Sequence, residues 1–255
     1  KAFGKLCSID SRRWIKFLLD VLKGARSINE RDLNGFEQRM LNMFWYTIWF
    51  KPSKEVLNKS NTERLNILKK SPTLFQEMRE LLIFCYEQID FIDEEVNVGF
   101  ECPLDLHCKY TRDQILVAMD CFNPWTVMTG VRQFQEKSLD VLFVTLNKSE
   151  KDYSPQTMYK DYSVNETLFH WQSQHGTSEE SKTGQRYIYH EKADNKILLF
   201  VRENKTDATG ALLYTYLGLV NYQSHQGSKP MNILWNLEKP IPAKFIKKTN
   251  KLISR

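Results

Sequence analysis

The hydrophobic period of this chain changes near residue 100, and that switch limits its architecture more than any other feature of the sequence. Before it, apolar residues recur at helical spacing. Trp14, Phe17, Leu18, Val21, Leu22 and Ala25 share one helical face, with Arg12, Arg13, Lys16 and Lys23 near or opposite it. Leu41, Phe44, Trp45, Ile48 and Trp49 repeat the pattern until Lys51 and Pro52 stop it, and this aromatic stripe reads as core. Ser71 as N-cap and Pro72 at the first helical position announce a third helix through Leu74, Met78, Leu81, Leu82, Cys85 and Ile89.

Asp93, Glu94, Glu95, Asn97 and Gly99 form an acidic, turn-rich break, beyond which the apolar runs shorten to strand length. Thr111 and Gln114 make a capping box for a short helix through Ile115, Leu116 and Met119. Strands are expected at DVLFVTL (140–146), RYIYH (186–190), KILLFVRE (196–203), YTYLGLV (214–220) and MNILWNL (231–237). The last alternates, with Met231, Ile233, Trp235 and Leu237 on one face and Asn232, Leu234 and Asn236 on the other. Residues 193–196, ADNK, read as a hairpin turn, and Thr206 to Gly210 as the next loop. The expected class is α+β: a helical subdomain over residues 1–100, a mostly antiparallel, barrel-like β-rich domain over 101–245, and a basic tail over 246–255.

Composition supports a folded chain, with 42% hydrophobic and 13% aromatic residues against only 10 Gly and 8 Pro. No apolar run approaches the roughly 20 residues needed to span a bilayer, and KAFGKLCSID lacks the apolar core of a signal peptide, so a cytoplasmic protein with no membrane partner is expected. A start on Lys rather than Met reads as a piece cut from a longer chain. The net charge of +5 is uneven: residues 1–100 carry 16 basic and 14 acidic groups, 101–238 carry 14 and 17, and 239–255 carry 6 and none. Bulk charge therefore gives no warrant for nucleic-acid binding outside the tail.

Catalytic patterns are weak. Asp194, Glu203 and Lys205 imitate a metal-dependent nuclease, but a strand over 196–203 would hold Asp194 and Glu203 roughly 30 Å apart. The histidines, His107, His170, His175, His190 and His225, form no metal-ligand spacing, and no nucleophile elbow accompanies Ser173, Ser178 or Ser224. A phosphate loop of Walker type is absent as well. Cys102, His107, Cys108 and Cys121 fall close enough in sequence for a zinc site, although buried, reduced thiols are the preferred reading of the five cysteines.

From about Pro103 to Pro242 the chain resembles the DUF3427 family, the C-terminal domain of bacterial superfamily 2 DEAD/DEAH-type helicases, which often carry an N-terminal phospholipase D-like nuclease domain. The residues carrying the likeness are YTRDQIL (110–116), VTLNKSEKDYSPQTMYKDY (144–162), TLFHWQSQ (167–174), TGQRYIYH (183–190), LLFVRE (198–203) and YLGLVNYQSHQGSKPMNILWNL (216–237). The resemblance implies part of a helicase-nuclease that acts on DNA, in restriction or defence, with DNA and the parent's motor domain as partners. ATP and magnesium are then expected of the parent and no cofactor of this segment. The helical first hundred residues look like a linker or accessory region.

Read physically, Asn147, Lys148 and Ser149 follow a strand, with Ser154 and Pro155 capping a short helix beyond them. Phe169 and Trp171 alternate with His170 and Gln172, and Gln172 and Gln174 share a face with His170, where amides can read a base edge. Arg186, Arg202 and Lys229 could supply phosphate contacts, while Trp171, Tyr187 or Tyr222 could stack on an unpaired base. SHQGSKP, from Ser224 and His225 through Lys229 to Pro230, has small residues that let backbone amides approach a phosphate. A compact domain of this kind is PUA-like by fold-level analogy. Two readings of the polar residues stay open: they recognise a ligand, or they tie loops together inside the domain.

Overall fold

In the computed structural model, residues 2–147, 161–207 and 210–243 are described. They form two compact units that divide between Met128 and Thr129. The sequence-based boundary near residue 100 falls inside the first unit.

The first unit is helical: α1 (Ala2–Leu6), α2 (Arg12–Lys23), α3 (Gly35–Ile48), α4 (Lys54–Leu57), α5 (Asn61–Lys69) and α6 (Pro72–Glu87), then the two-residue strand β1 (Lys109–Tyr110) and α7 (Arg112–Ala118). Helix α2 starts where the Ser11 side chain accepts the Trp14 N–H and stops where Gly24 turns left-handed at φ 77°. It buries Trp14, Phe17, Leu18, Val21 and Leu22, the face expected from their spacing. Trp14 donates its indole N–H to the Met40 carbonyl at 3.0 Å and Trp45 donates to Asn61 Oδ1 at 2.9 Å; of the aromatic stripe, Leu41, Phe44 and Trp45 are core, whereas Ile48 and Trp49 at the end of α3 are half-buried. The Thr111–Gln114 capping box is present. Ser71 makes no side-chain cap; the Pro72 ring restricts the residue before it, and Ser71 sits at φ −114°, ψ 89°.

The second unit contains β2 (Val131–Phe134), β3 (Leu139–Thr145), β4 (Tyr162–Ser163), β5 (Leu168–Gln172), α8 (Lys182–Ile188), β6 (Lys196–Arg202), β7 (Thr206–Asp207), β8 (Gly210–Ala211), β9 (Tyr214–Gln226) and β10 (Asn232–Leu237). Strands β7 and β8 pair with each other; the main sheet runs β2-β3-β6-β9-β10-β5-β4. Strands β3 and β6 are parallel, and the other pairings along this path are antiparallel. The class is α+β, a helical region followed by a β-rich one. Among the described residues no pairing joins β2 to β4, so the sheet is open and not a closed barrel. Both edge strands are short, which leaves little exposed ladder.

Burial explains the sequence pattern. Strands β3 and β6 and the first half of β9 are covered on both faces and read as continuous apolar runs. Phe143, Phe200 and Tyr216 are cross-strand partners and stack on one face, while Leu142, Val144, Leu199 and Val201 join Phe169, Trp171, Ile233 and Trp235 in the core on the other. Strands β5 and β10 alternate buried residues with half-buried ones, Asn236 alone of these being exposed. Residues 186–190, expected as a strand, instead finish α8 and its turn. The Ser181 side chain caps Gly184 N–H, which starts a helix the short RYIYH alternation hides, and Tyr187 then points into the core. ADNK is accordingly not a hairpin turn: it closes the helical turn, with Asn195 N–H on the His190 carbonyl, and leads into β6.

Candidate functional site

Strand β5 separates its residues by face. Phe169 and Trp171 are buried in the core, whereas Leu168, His170 and Gln172 lie half-buried on the opposite side. Antiparallel register extends that outer face across four strands. Tyr162, His170, Leu234 and Ser224 form one cross-strand row, and Gln172, Asn232 and Gln226 form the next. Tyr162 and His170 are stacked, ring centroids 4.7 Å apart and nearly parallel at 12°. Gln172 Nε2 donates to Asn232 Oδ1 at 3.1 Å, and Asn232 Nδ2 donates to the Gln226 carbonyl at 3.4 Å. Asn236 and Asn221, paired to each other, continue the face beyond. The result is a polar surface that carries the joined Gln172–Asn232 amides beside the stacked rings of Tyr162 and His170.

A second cluster lies on the core side of the sheet, beside α8. Between the pairs Leu234–Ser224 and Trp235–Tyr222 the register slips, leaving Gln223 as the extra residue of a β-bulge. Tyr222 and His225, three apart, would face opposite ways on a regular strand; the bulge puts both on the core side. Tyr222 Oη lies 2.7 Å from His225 Nδ1, and His225 Nε2 lies 3.5 Å from Glu179 Oε2. Burial, with the negative charge of Glu179 adding to it, pushes the Tyr222 phenol up from its ordinary value. Behind it, Trp235 is enclosed by the rings of Trp171, Tyr187, His190 and Tyr222.

The other sequence candidates therefore do not gather at one place. Trp171 and Tyr187 are buried in the core, and neither presents a stacking surface to solvent; burial also holds the Tyr187 phenol well above its usual range. Arg186 is engaged by the fully buried Asp140, which also accepts Asn195 Nδ2 at 2.9 Å. His190, buried, donates from Nδ1 to the Asn195 carbonyl, because its Nε2 accepts the Tyr222 N–H at 3.0 Å. Arg202 bonds Thr145 Oγ1 and lies over the Tyr214 ring. These arginines were expected at phosphates; buried acceptors and rings recruit them into the domain instead. Gln174 and Lys229 are exposed, and Lys229 N–H is held by the Thr177 carbonyl. Asn147 is exposed at the end of β3, while Lys148, Ser149, Ser154 and Pro155 lie outside the described residues. Tyr162, Asn232, Gln226 and Glu179 were not among the sequence candidates, although the alternation of β10 had already turned Asn232 outward.

In the helical unit the metal-ligand geometry differs from the cysteine–histidine set. Asp93, Asp105 and Cys108 bring donor atoms within 4.8 Å of one another; Cys102, His107 and Cys121 are not in this group. Both carboxylates already have partners. Arg13 Nη2 lies 2.5 Å from Asp105 Oδ1, Ser11 Oγ donates to Asp105 Oδ2 at 2.6 Å, and Asp93 accepts the Arg12 and Arg13 N–H groups at the start of α2. Burial raises the Cys102 thiol to about 12 and the Cys108 thiol further, the opposite of what a metal-binding thiolate needs. The cluster anchors a helix N-terminus around a guanidinium.

An α+β fold with an open mixed sheet, one polar-aromatic face and one ring-lined core edge defines the class. Residues 104–248 match the family described as Domain of unknown function (DUF3427), over half of the chain, and the protein belongs to that family. No curated protein matches it.

Proposed function

We propose that this chain is the non-catalytic C-terminal module of a DNA helicase-nuclease, recognising DNA, modified DNA included, and positioning the motor and nuclease in restriction or defence. The observation that carries the reading is the outer face of β4, β5, β10 and β9, where the Gln172–Asn232–Gln226 row lies beside the stacked Tyr162–His170 pair. Amides can pair with base edges and rings can stack on unpaired bases, so this face carries recognition chemistry. ATP and magnesium belong to the motor in this reading, and the location is the bacterial cytoplasm. No helix among the described residues is long and apolar enough to cross a membrane.

Electrophoretic shift of duplex, single-stranded and modified DNA across a salt series tests it. Joint substitution of His170, Gln172 and Asn232 by Ala should weaken binding at least about tenfold, the worth of one good base contact, with the melting temperature retained. Absence of binding to every DNA form at low salt overturns it.

A second reading, a module that docks to the parent helicase or another protein without touching DNA, is favoured by one observation. The helical unit exposes Phe50, Phe84 and Ile92, the last at 91%. Loss of partner binding on joint Phe50→Ser, Phe84→Ser and Ile92→Ser substitution, with no DNA binding by the parent module, selects this alternative.

A further inference from the structure

Helix α6 buries Met78, Leu82 and Cys85 on one side, packed against α1, α2 and α5. Its opposite side carries Ile83 and Phe84, 37% and 58% exposed. Glu80 and Glu87 lie three or four residues to either side of both, and side chains at those spacings are neighbours on a helix. Glu77, two turns before Phe84 on the same stripe, adds a third acid. Gln76 donates to Glu80 at 2.7 Å, but among the described residues no Lys or Arg forms an ion pair with Glu77, Glu80 or Glu87. Arg79, the single cation of α6, is half-buried and lies between this patch and the packed side. Glu87 is also misplaced for the free protein: it stands in the last turn, where the helix dipole favours a cation, and no basic residue there offsets it. One exposed apolar residue is ordinary. An exposed aromatic and an exposed Ile side by side, bracketed by unpaired acids, fit a partner that is apolar at its centre and positive on either side.

We propose that this side of α6 docks a basic amphipathic helix of a partner protein, whose apolar residues cover Ile83 and Phe84 while its Lys or Arg side chains meet Glu80 and Glu87. A helix laid along α6 presents anchors at i, i+3, i+4 and i+7, the spacing at which α6 offers Glu80, Ile83, Phe84 and Glu87. A neutral apolar partner would desolvate the acids without a counter-charge, and an acidic partner or a nucleic acid would meet like charge. The inference takes from the docking reading the premise that the helical unit meets a protein, and it does not depend on whether the β-rich unit binds DNA.

The probe is a fluorescein-labelled helical peptide of about 15 residues, with leucine on one face and lysine on its flanks. Its counterpart has glutamate in place of every lysine. Both are titrated with the whole chain at low and high salt and followed by fluorescence anisotropy. The expected result is saturable binding of the basic peptide, weakened as salt rises, and none of the acidic one. Phe84→Ser should weaken binding by about tenfold or more, and so should joint Glu80→Lys and Glu87→Lys substitution, with helix content by circular dichroism retained. Glu87→Lys alone should raise the melting temperature of the free chain while weakening the peptide, because a cation suits the end of α6 and opposes the partner. Phe50→Ser, which changes an exposed ring outside α6, should bind as the parent does. Binding lost on Phe50→Ser and kept on Phe84→Ser would leave the docking reading standing and overturn this face. Equal binding of the two peptides, or binding of neither, overturns the proposal. Self-association of the chain that disappears on Phe84→Ser, read by sedimentation, would place a second copy on α6 and overturn it as well.

Discussion

Arg186 on α8 grips Asp140 on β3 through two hydrogen bonds, 2.8 Å from Nε and 3.0 Å from Nη2, and Asp140 has no exposed surface. The guanidinium fork ties α8, the one α-helix among the described residues of the β-rich unit, to its parallel strand pair, with Asn195 as the third donor. Removing one partner of a buried pair leaves the other charge stranded. Arg186→Ala should therefore cost about 3–5 kcal/mol, read as a lowered urea midpoint. Arg186→Lys, which keeps the charge but loses the two-donor fork, should fall between the variant and the parent. An Arg186→Ala protein with an unchanged midpoint and reduced DNA affinity would return this residue to the surface role its sequence suggested.

His170 and Trp171 are adjacent in sequence and opposite in consequence. Trp171 packs against Tyr187 and Trp235 in the core, so Trp171→Ala should cost about 3–5 kcal/mol through cavity formation. His170 lies on the outer face against Tyr162, and His170→Ala should cost under about 1 kcal/mol. Chemical denaturation of the two variants side by side measures this, and equal losses would contradict the face assignment.

That alternation was legible in the residues TLFHWQ because a strand's period of two converts composition directly into facing. Helices α2, α3 and α6 were legible for the same reason at a period of 3.6, and the family likeness located the β-rich unit. Other features depend on partners far away in the chain. RYIYH looks like a strand until Ser181 caps a helix and Asp140, 46 residues earlier, claims Arg186. The facing of Tyr222 and His225 is set by a bulge that exists only once β10 pairs with β9. Arg13 meets Asp105 and Glu95 across more than eighty residues, a convergence no local spacing encodes.

The acids around the start of α2 should make the protein more stable toward mild acid. Burial is the main cause that raises Asp10 and Asp105 from 3.8 to about 6, partly offset at Asp10 by the Lys109 N–H and ammonium and at Asp105 by Arg13. A carboxyl whose folded value lies above its unfolded one binds its proton more tightly in the folded state. Its effect on stability is therefore absent below about 4 and grows unfavourable as pH rises to about 6, by at most about 1.4 kcal/mol per pH unit for each group. Asp10→Asn keeps an acceptor for the Lys109 N–H, bonded at 2.6 Å, and removes the titration. The variant should gain stability relative to the parent as pH is raised from 4 to 7, measured by urea denaturation at each pH. A constant difference between the two proteins would show that Asp10 does not titrate in this window.

At Gly184, α8 comes close to the Ser178 turn and to Met231. A Cβ there would come within 2.9 Å of the Ser178 carbonyl carbon, nearer still to its oxygen, and within 3.0 Å of Met231 Sδ. Two effects oppose each other in Gly184→Ala. Alanine gains up to about 1 kcal/mol in a helix interior, whereas overpacking costs about 1–3 kcal/mol. The Met231 thioether can yield, but the Ser178 carbonyl cannot swing aside easily, because it accepts both the Ser181 hydroxyl at 2.6 Å and the Ser181 N–H at 3.1 Å, the bonds that seat the α8 cap. The clash should win, leaving Gly184→Ala less stable by about 1–2 kcal/mol. Displacement of α8 should carry Tyr187 with it and alter the intrinsic tryptophan fluorescence of the native state. A variant as stable as the parent, with unchanged fluorescence, would mean that the Ser178 turn is free to retreat and that helix propensity sets the balance.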